Sequence, residues 1–105
     1  MGILVHELAH ARSGDKGNTS NIAVIAYDET GWPILRRELT ADRVHRAFAH
    51  LGARSVKRYE VESLKALNFV LTDVLAGGVT RSLRLDPHGK SLSALILGIE
   101  LPDQS

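Results

Sequence analysis

Hydrophobic residues in this chain gather in short runs separated by polar, glycine-marked stretches, and the spacing inside each run predicts an element. Ile22-Ala23-Val24-Ile25-Ala26 is continuous and rich in β-branched side chains, so Asn21 to Tyr27 predicts a strand covered on both faces. Val44, Ala47, Phe48 and Leu51 recur at i, i+3, i+4 and i+7, with Thr40 placed as an N-cap and Gly52 as a stop; this predicts a helix. Pro33 opens a shorter helical segment through Leu39. Ser55 to Val61 predicts a strand. Leu64, Leu67, Leu71, Val74 and Leu75 then predict a second helix, capped by Ser63 and closed by Gly77-Gly78, and Thr80 to Leu85 returns as a strand.

Two segments stay open. Ile3 to Ala9 is compatible with strand or helix. After Asp86-Pro87-His88-Gly89, the positions Leu92, Leu95, Ile96 and Ile99 have helical spacing, yet Asp-Pro-x-Gly could equally turn a hairpin. Between the first two runs, Ala11 to Ser20 predicts a ten-residue loop rich in Gly, Ser, Asn and Asp, long for a hairpin connection. Strands and helices mixed in this way predict an α+β fold: one small domain over residues 1–105, core about 3–101, with an antiparallel-rich sheet and helices on one face.

Composition narrows the function classes. With 105 residues, 44% hydrophobic and 24% charged, the chain suits one soluble globular domain. It has no cysteine, which excludes disulfides, thiolate metal sites and cysteine nucleophiles. The start, Met1-Gly2-Ile3-Leu4-Val5, lacks the form of a signal peptide, and Leu92 to Ile99 is far short of the roughly 20 residues that cross a bilayer. A cytoplasmic protein without membrane contact is expected. Net charge is +1, so nothing global draws nucleic acid, and no Lys/Arg-Gly-Phe-type signature occurs. Between Arg36 and Arg58, however, seven basic residues (Arg36, Arg37, Arg43, Arg46, Arg54, Lys57, Arg58) face only Glu38 and Asp42; the stretch is either a solvated surface or a docking site for an acidic partner.

His6-Glu7-Leu8-Ala9-His10 fits the H-E-x-x-H pattern, in which two histidines on one helical face hold zinc and the glutamate is the general base. A third ligand is missing: the extended motif asks for Gly and His where Ser13 and Lys16 stand. On a strand, Glu7 would point away from both histidines. His45 and His50 lie roughly 140° apart around a helix and cannot clasp one ion. No metal site is expected, and no cofactor.

Arg12-Ser13-Gly14-Asp15-Lys16-Gly17-Asn18-Thr19-Ser20-Asn21 is dense in groups that grip anions: two cations, three hydroxyls, two amides and two glycines. It is neither a P-loop nor a dinucleotide fingerprint. It is either a loop bonded within itself, Asp15 pairing with Arg12 or Lys16, or part of a ligand or interface site. Two charge-assisted hydrogen bonds supply roughly 3–6 kcal/mol, against on the order of 4–15 kcal/mol for association, so such a site needs a second element. Gly77, Gly78 and Arg81 are the candidates. Asn68, in an apolar stretch, is expected to seek a buried polar partner. No nucleophile–base–orienter trio declares itself; Asp15, held ionised by its neighbouring cations, is the best placed for acid–base work.

The sequence resembles the small C-terminal domain of the acyclic terpene utilisation protein A (AtuA) family, which is ferredoxin-like in fold. Glu7-Leu8-Ala9, Ala11-Arg12-Ser13-Gly14-Asp15-Lys16-Gly17-Asn18 and Ser20-Asn21-Ile22 carry the likeness, with Ala66-Leu67-Asn68-Phe69-Val70-Leu71, Gly77-Gly78, Arg81-Ser82-Leu83-Arg84, Asp86 and Gly89-Lys90. It spans about Val5 to Leu101. In longer relatives this domain follows a large one, within degradation of isoprenoid or branched acyl-CoA compounds. The resemblance therefore implies a separately encoded small subunit or stand-alone domain, with a large AtuA-like protein as partner and acyl-CoA as ligand. Whether it is an enzyme stays open. The alternative expectation is a non-catalytic interaction or regulatory module that self-associates into a homo-oligomer.

Overall fold

The computed structural model of the protein describes residues 2–16, 19–49, 52–72 and 90–102, with only the backbone at Asp15, Lys16, Lys90 and Ser91. In chain order its elements are β1 (Gly2–Leu4), α1 (Val5–Leu8), β2 (Ala9–Lys16), β3 (Thr19–Ala26), α2 (Gly31–Glu38), α3 (Ala41–Phe48), β4 (Ser55–Val61), a 3-10 turn (Glu62–Leu64), β5 (Ala66–Thr72), α4 (Lys90–Leu97) and β6 (Glu100–Pro102). Four strands form one antiparallel sheet in the order β2-β3-β5-β4, while β1 and β6 pair as a separate two-stranded ribbon.

In the sheet order, β3 and β4 are both antiparallel to the β5 between them, so they run parallel to each other. They are joined through α2 and α3, which makes a split β-α-β unit, the signature of a ferredoxin-like fold. The outer place beside β3 is taken by β2, the strand that precedes it in the chain. The fold is thus α+β, as the element pattern implied.

Local chemistry explains the helices. Thr40 accepts a hydrogen bond from the Arg43 N–H at 3.1 Å and starts α3 as a side-chain N-cap. Gly52, at φ 84°, stands where glycine is favoured. The Asp28 carboxylate accepts from the N–H groups of Thr30 and Gly31, at 3.0 and 2.9 Å, and so meets donors at the start of α2. Arg58 on β4 serves the other end: its guanidinium donates to the carbonyls of Arg36 (2.7 Å) and Leu39 (3.1 Å).

The core lies between the sheet and the helices. Ile22, Val24, Leu67, Phe69 and Leu71 enter it from β3 and β5, and Leu35, Leu39, Val44, Phe48, Leu92 and Ile96 from the helices and their ends; each is buried. On β2, Ala9 and Ala11 face the same way.

Several expectations need correction. Residues 11–16 and 19–20 are not a loop but paired strand, in register from Ala9↔Ala26 to Lys16↔Thr19. The stretch reads as polar because alternate β2 side chains (His10, Arg12) and Gly14 are exposed. Nor is β3 covered on both faces: Ile22, Val24 and Ala26 are buried, whereas Asn21 is exposed and Ala23 and Ile25 are half-buried. The helix expected from Ser63 to Leu75 is instead the 3-10 turn followed by β5 as far as Thr72. Leu67 and Leu71 satisfy both a 3.6 and a 2.0 period, but burial of Phe69 with them selects the strand. Lys65, in the left-handed region at φ 52°, separates the two. The open segments resolve into β1 and α1 at one end, α4 and β6 at the other. The strand expected from Thr80 to Leu85 lies outside the described residues.

A candidate site on the open sheet face

Strand alternation divides the sheet into two faces, and the helices cover one of them. The other carries cross-strand rows. One runs Arg12, Ala23, Asn68, Tyr59. A second runs Gly14, Asn21, Val70, Lys57, and a third His10, Ile25, Ala66, Val61. Four sequence-predicted site positions, Arg12, Gly14, Asn21 and Asn68, thus share one face although they come from three strands. Asn68 is half-buried there on a central strand, not inside an apolar helix.

Sequence reasoning missed Tyr59 and the His10–Tyr27 pair, and placed Lys57 in the basic stretch rather than beside Arg12 and Asn68. Tyr59 is 51% exposed and Tyr27 61%. The His10 and Tyr27 rings stack, with centroids 5.7 Å apart and planes inclined by 26°. The i, i+2 spacing of Lys57 and Tyr59 on an expected strand was the signal that could have found them.

The face is cationic. Arg12 and Lys57 are exposed, neither pairs with a carboxylate among the described residues, and no aspartate or glutamate side chain described there belongs to the three rows. Its floor is low where Gly14, Ala23 and Ala66 sit; a Cβ at Gly14 would meet nothing within 4 Å.

The remaining expectations divide. Ser13 points to the helix side, where the Ser93 hydroxyl of α4 donates to its oxygen at 2.8 Å. Asp15 and Lys16 are placed only by backbone register, opposite Ser20 and Thr19. Gly17, Asn18, Gly77, Gly78 and Arg81 lie outside the described residues, so a second glycine element beside the first is not among the structural findings. The Ser20 hydroxyl is buried without a hydrogen-bond partner among the described residues.

Four of the seven cations in the basic stretch from Arg36 to Arg58 have carboxylate partners, two of them sharing Glu38. Arg36 pairs with Glu62 (3.8 Å), Arg37 with Glu38 (3.0 Å), Arg43 with Glu38 (3.8 Å) and Arg58 with Glu60 (2.9 Å). Two of these carboxylates, Glu60 and Glu62, come from beyond the stretch in sequence.

For the zinc-like motif, His6 lies in the single-turn α1 and His10 in β2, so no common helical face presents them. Glu7 instead accepts the Leu4 N–H at 2.9 Å. Among the described residues no group of three or more His, Asp or Glu could hold a metal. An open cleft of about 310 Å³, lined by Gly2, Arg43, Glu100, Leu101 and Pro102, shares no residue with the cationic face. No helix among the described residues is long and apolar enough to cross a membrane.

A family model described as AtuA ferredoxin-like domain matches residues 3–102 of this chain. No curated protein and no solved structure matches it.

Proposed function

This chain belongs to the AtuA ferredoxin-like domain family, and from that premise we propose that it is a small subunit or stand-alone domain serving acyl-CoA or isoprenoid breakdown, where it helps to bind acyl-CoA or another phosphate-bearing ligand. The observation that carries this reading is the open sheet face: Arg12, Asn21 and Asn68, drawn from three strands, lie together beside the uncompensated charge of Lys57. A cation there is available to an anionic group because no described neighbour neutralises it. The described residues offer binding groups rather than a catalytic trio, which favours a binding contribution over an independent reaction. The test is recovery of the protein from its host at native expression, with mass determination of what travels with it. Co-elution with a large protein of acyl-CoA metabolism is expected.

A second reading, a non-catalytic module that self-associates, is favoured by β2. This eight-residue strand forms one edge of the four-stranded sheet, and an edge can pair with another chain. Recovery as a small homo-oligomer with no larger companion would select this reading.

A further inference from the structure

The open face has a composition that narrows what can occupy it. Across its three rows, the described side chains include two unpaired cations, two amides and the exposed tyrosine ring of Tyr59, and no carboxylate. A second copy is a poor occupant. A two-fold contact would set this cationic surface against itself, with no acid among the described residues of its rows to compensate. The occupant must therefore be anionic.

An exposed aromatic ring beside amides adds a second requirement, a planar group that stacks and accepts or donates hydrogen bonds at its edge. Lys57 and Tyr59 are two residues apart on the same side of β4, about 7 Å along the strand. A base on the ring thus places its 5′-phosphate beside the ammonium. Asn68 is directly opposite Tyr59 and reaches the base edge or the sugar. Arg12 stands across the small Ala23, about 14 Å from Tyr59 over three strand spacings, and an arginine side chain is long enough to close part of that gap toward a second phosphate.

The count of groups also separates a small nucleotide from a polymer. The Tyr27 ring already stacks on His10, whereas Tyr59 has no ring partner among the described residues and stands in the row that holds Asn68, two residues from Lys57. Two cations suit one nucleotide and its phosphates; a single strand carries a charge on every unit and binds along a longer basic track. We infer that the open face of the β2-β3-β5-β4 sheet binds a nucleoside phosphate as a free small molecule or the nucleotide end of one, with its base on Tyr59, Asn68 at the base or sugar, and its phosphates between Lys57 and Arg12. The inference deepens the acyl-CoA reading and rests on it for the choice of coenzyme A as a probe.

The experiment is an NMR titration of the ¹⁵N-labelled full chain with ADP and with coenzyme A, beside adenosine, inorganic phosphate and a short oligoadenylate RNA. ADP and coenzyme A are expected to shift the amides of Arg12, Lys57, Tyr59 and Asn68, and to bind better than adenosine or phosphate alone. Tyr59→Leu should weaken ADP roughly tenfold or more, while Tyr59→Phe keeps binding and controls for folding. Lys57→Gln should bring ADP toward the affinity of adenosine. Absence of shifts at these amides, phosphate binding as well as ADP, or RNA binding far more tightly than ADP would each overturn the inference. ADP bound at this face with coenzyme A rejected would uphold the inference and count against the acyl-CoA reading. Failure of both nucleotides would overturn the inference alone, leaving co-purification to judge that reading.

Discussion

Arg12 and Asn68 flank Ala23 in one cross-strand row, so two polar side chains remote in sequence share a surface that none of the described helices covers. Asparagine is a poor strand former, yet Asn68 sits in β5, an interior strand of the sheet. A residue that contradicts its local propensity at an exposed face points to use rather than architecture. Asn68→Val should accordingly raise the melting temperature, by the equivalent of up to about 1 kcal/mol. A thermal melt reads this directly; a clear loss of stability would mean that the amide is structural.

Arg58 holds the C-terminal turn of α2 through the carbonyls of Arg36 and Leu39, and also meets Glu60 at 2.9 Å. Its side chain is only 19% exposed, so the bonds are partly shielded from water. Arg58→Ala should cost about 1.5–3 kcal/mol, as expected for hydrogen bonds made by a charged donor. Arg58→Lys should recover little of it, because a single ammonium cannot reproduce the planar fork. Chemical denaturation of the three proteins decides.

Strand and helix readings of residues 64–72 make opposite demands on Leu64 and Phe69. In β5, Phe69 is fully buried, while Leu64 in the preceding turn is 66% exposed. Phe69→Ala should cost about 3–5 kcal/mol; Leu64→Ala should stay within about 0.5 kcal/mol of wild type. Comparable losses at both positions would restore the helix.

Why this segment and the β2–β3 hairpin were hard to see in the sequence has a physical answer. The α3 helix was legible because its signals are local: Thr40 caps it, and Val44 and Phe48 keep one period between them. The β5 strand was not, since Leu67 and Leu71 fit both periods and only pairing with β4 just before it and with β3, distant in sequence, decides. Arg12, Gly14 and Asn21 were recognised as binding groups, but their glycine-rich setting suggested a loop. Pairing of β2 with β3 gives them a strand face instead. Tyr59 escaped notice, and Lys57 was assigned only to the basic stretch, because nothing in β4 alone tells which side the helices cover.

Ser20 presents a separate case, a buried hydroxyl with no partner among the described residues. Leaving such a group buried costs about 1–3 kcal/mol. Ser20→Ala should therefore be neutral or stabilising in a thermal melt, with the hairpin intact. Strong destabilisation would show that the hydroxyl carries a bond that matters.

The most direct test of the open face as the working surface is Arg12→Ala, measured for melting temperature and for recovery of the proposed acyl-CoA-pathway companion in parallel. Arg12 is exposed and has no carboxylate partner among the described residues, so stability should change by less than about 0.5 kcal/mol while the companion or its ligand binding is lost. A chain that melts far earlier, with no binding lost that unfolding does not explain, would contradict the account and make Arg12 part of the scaffold.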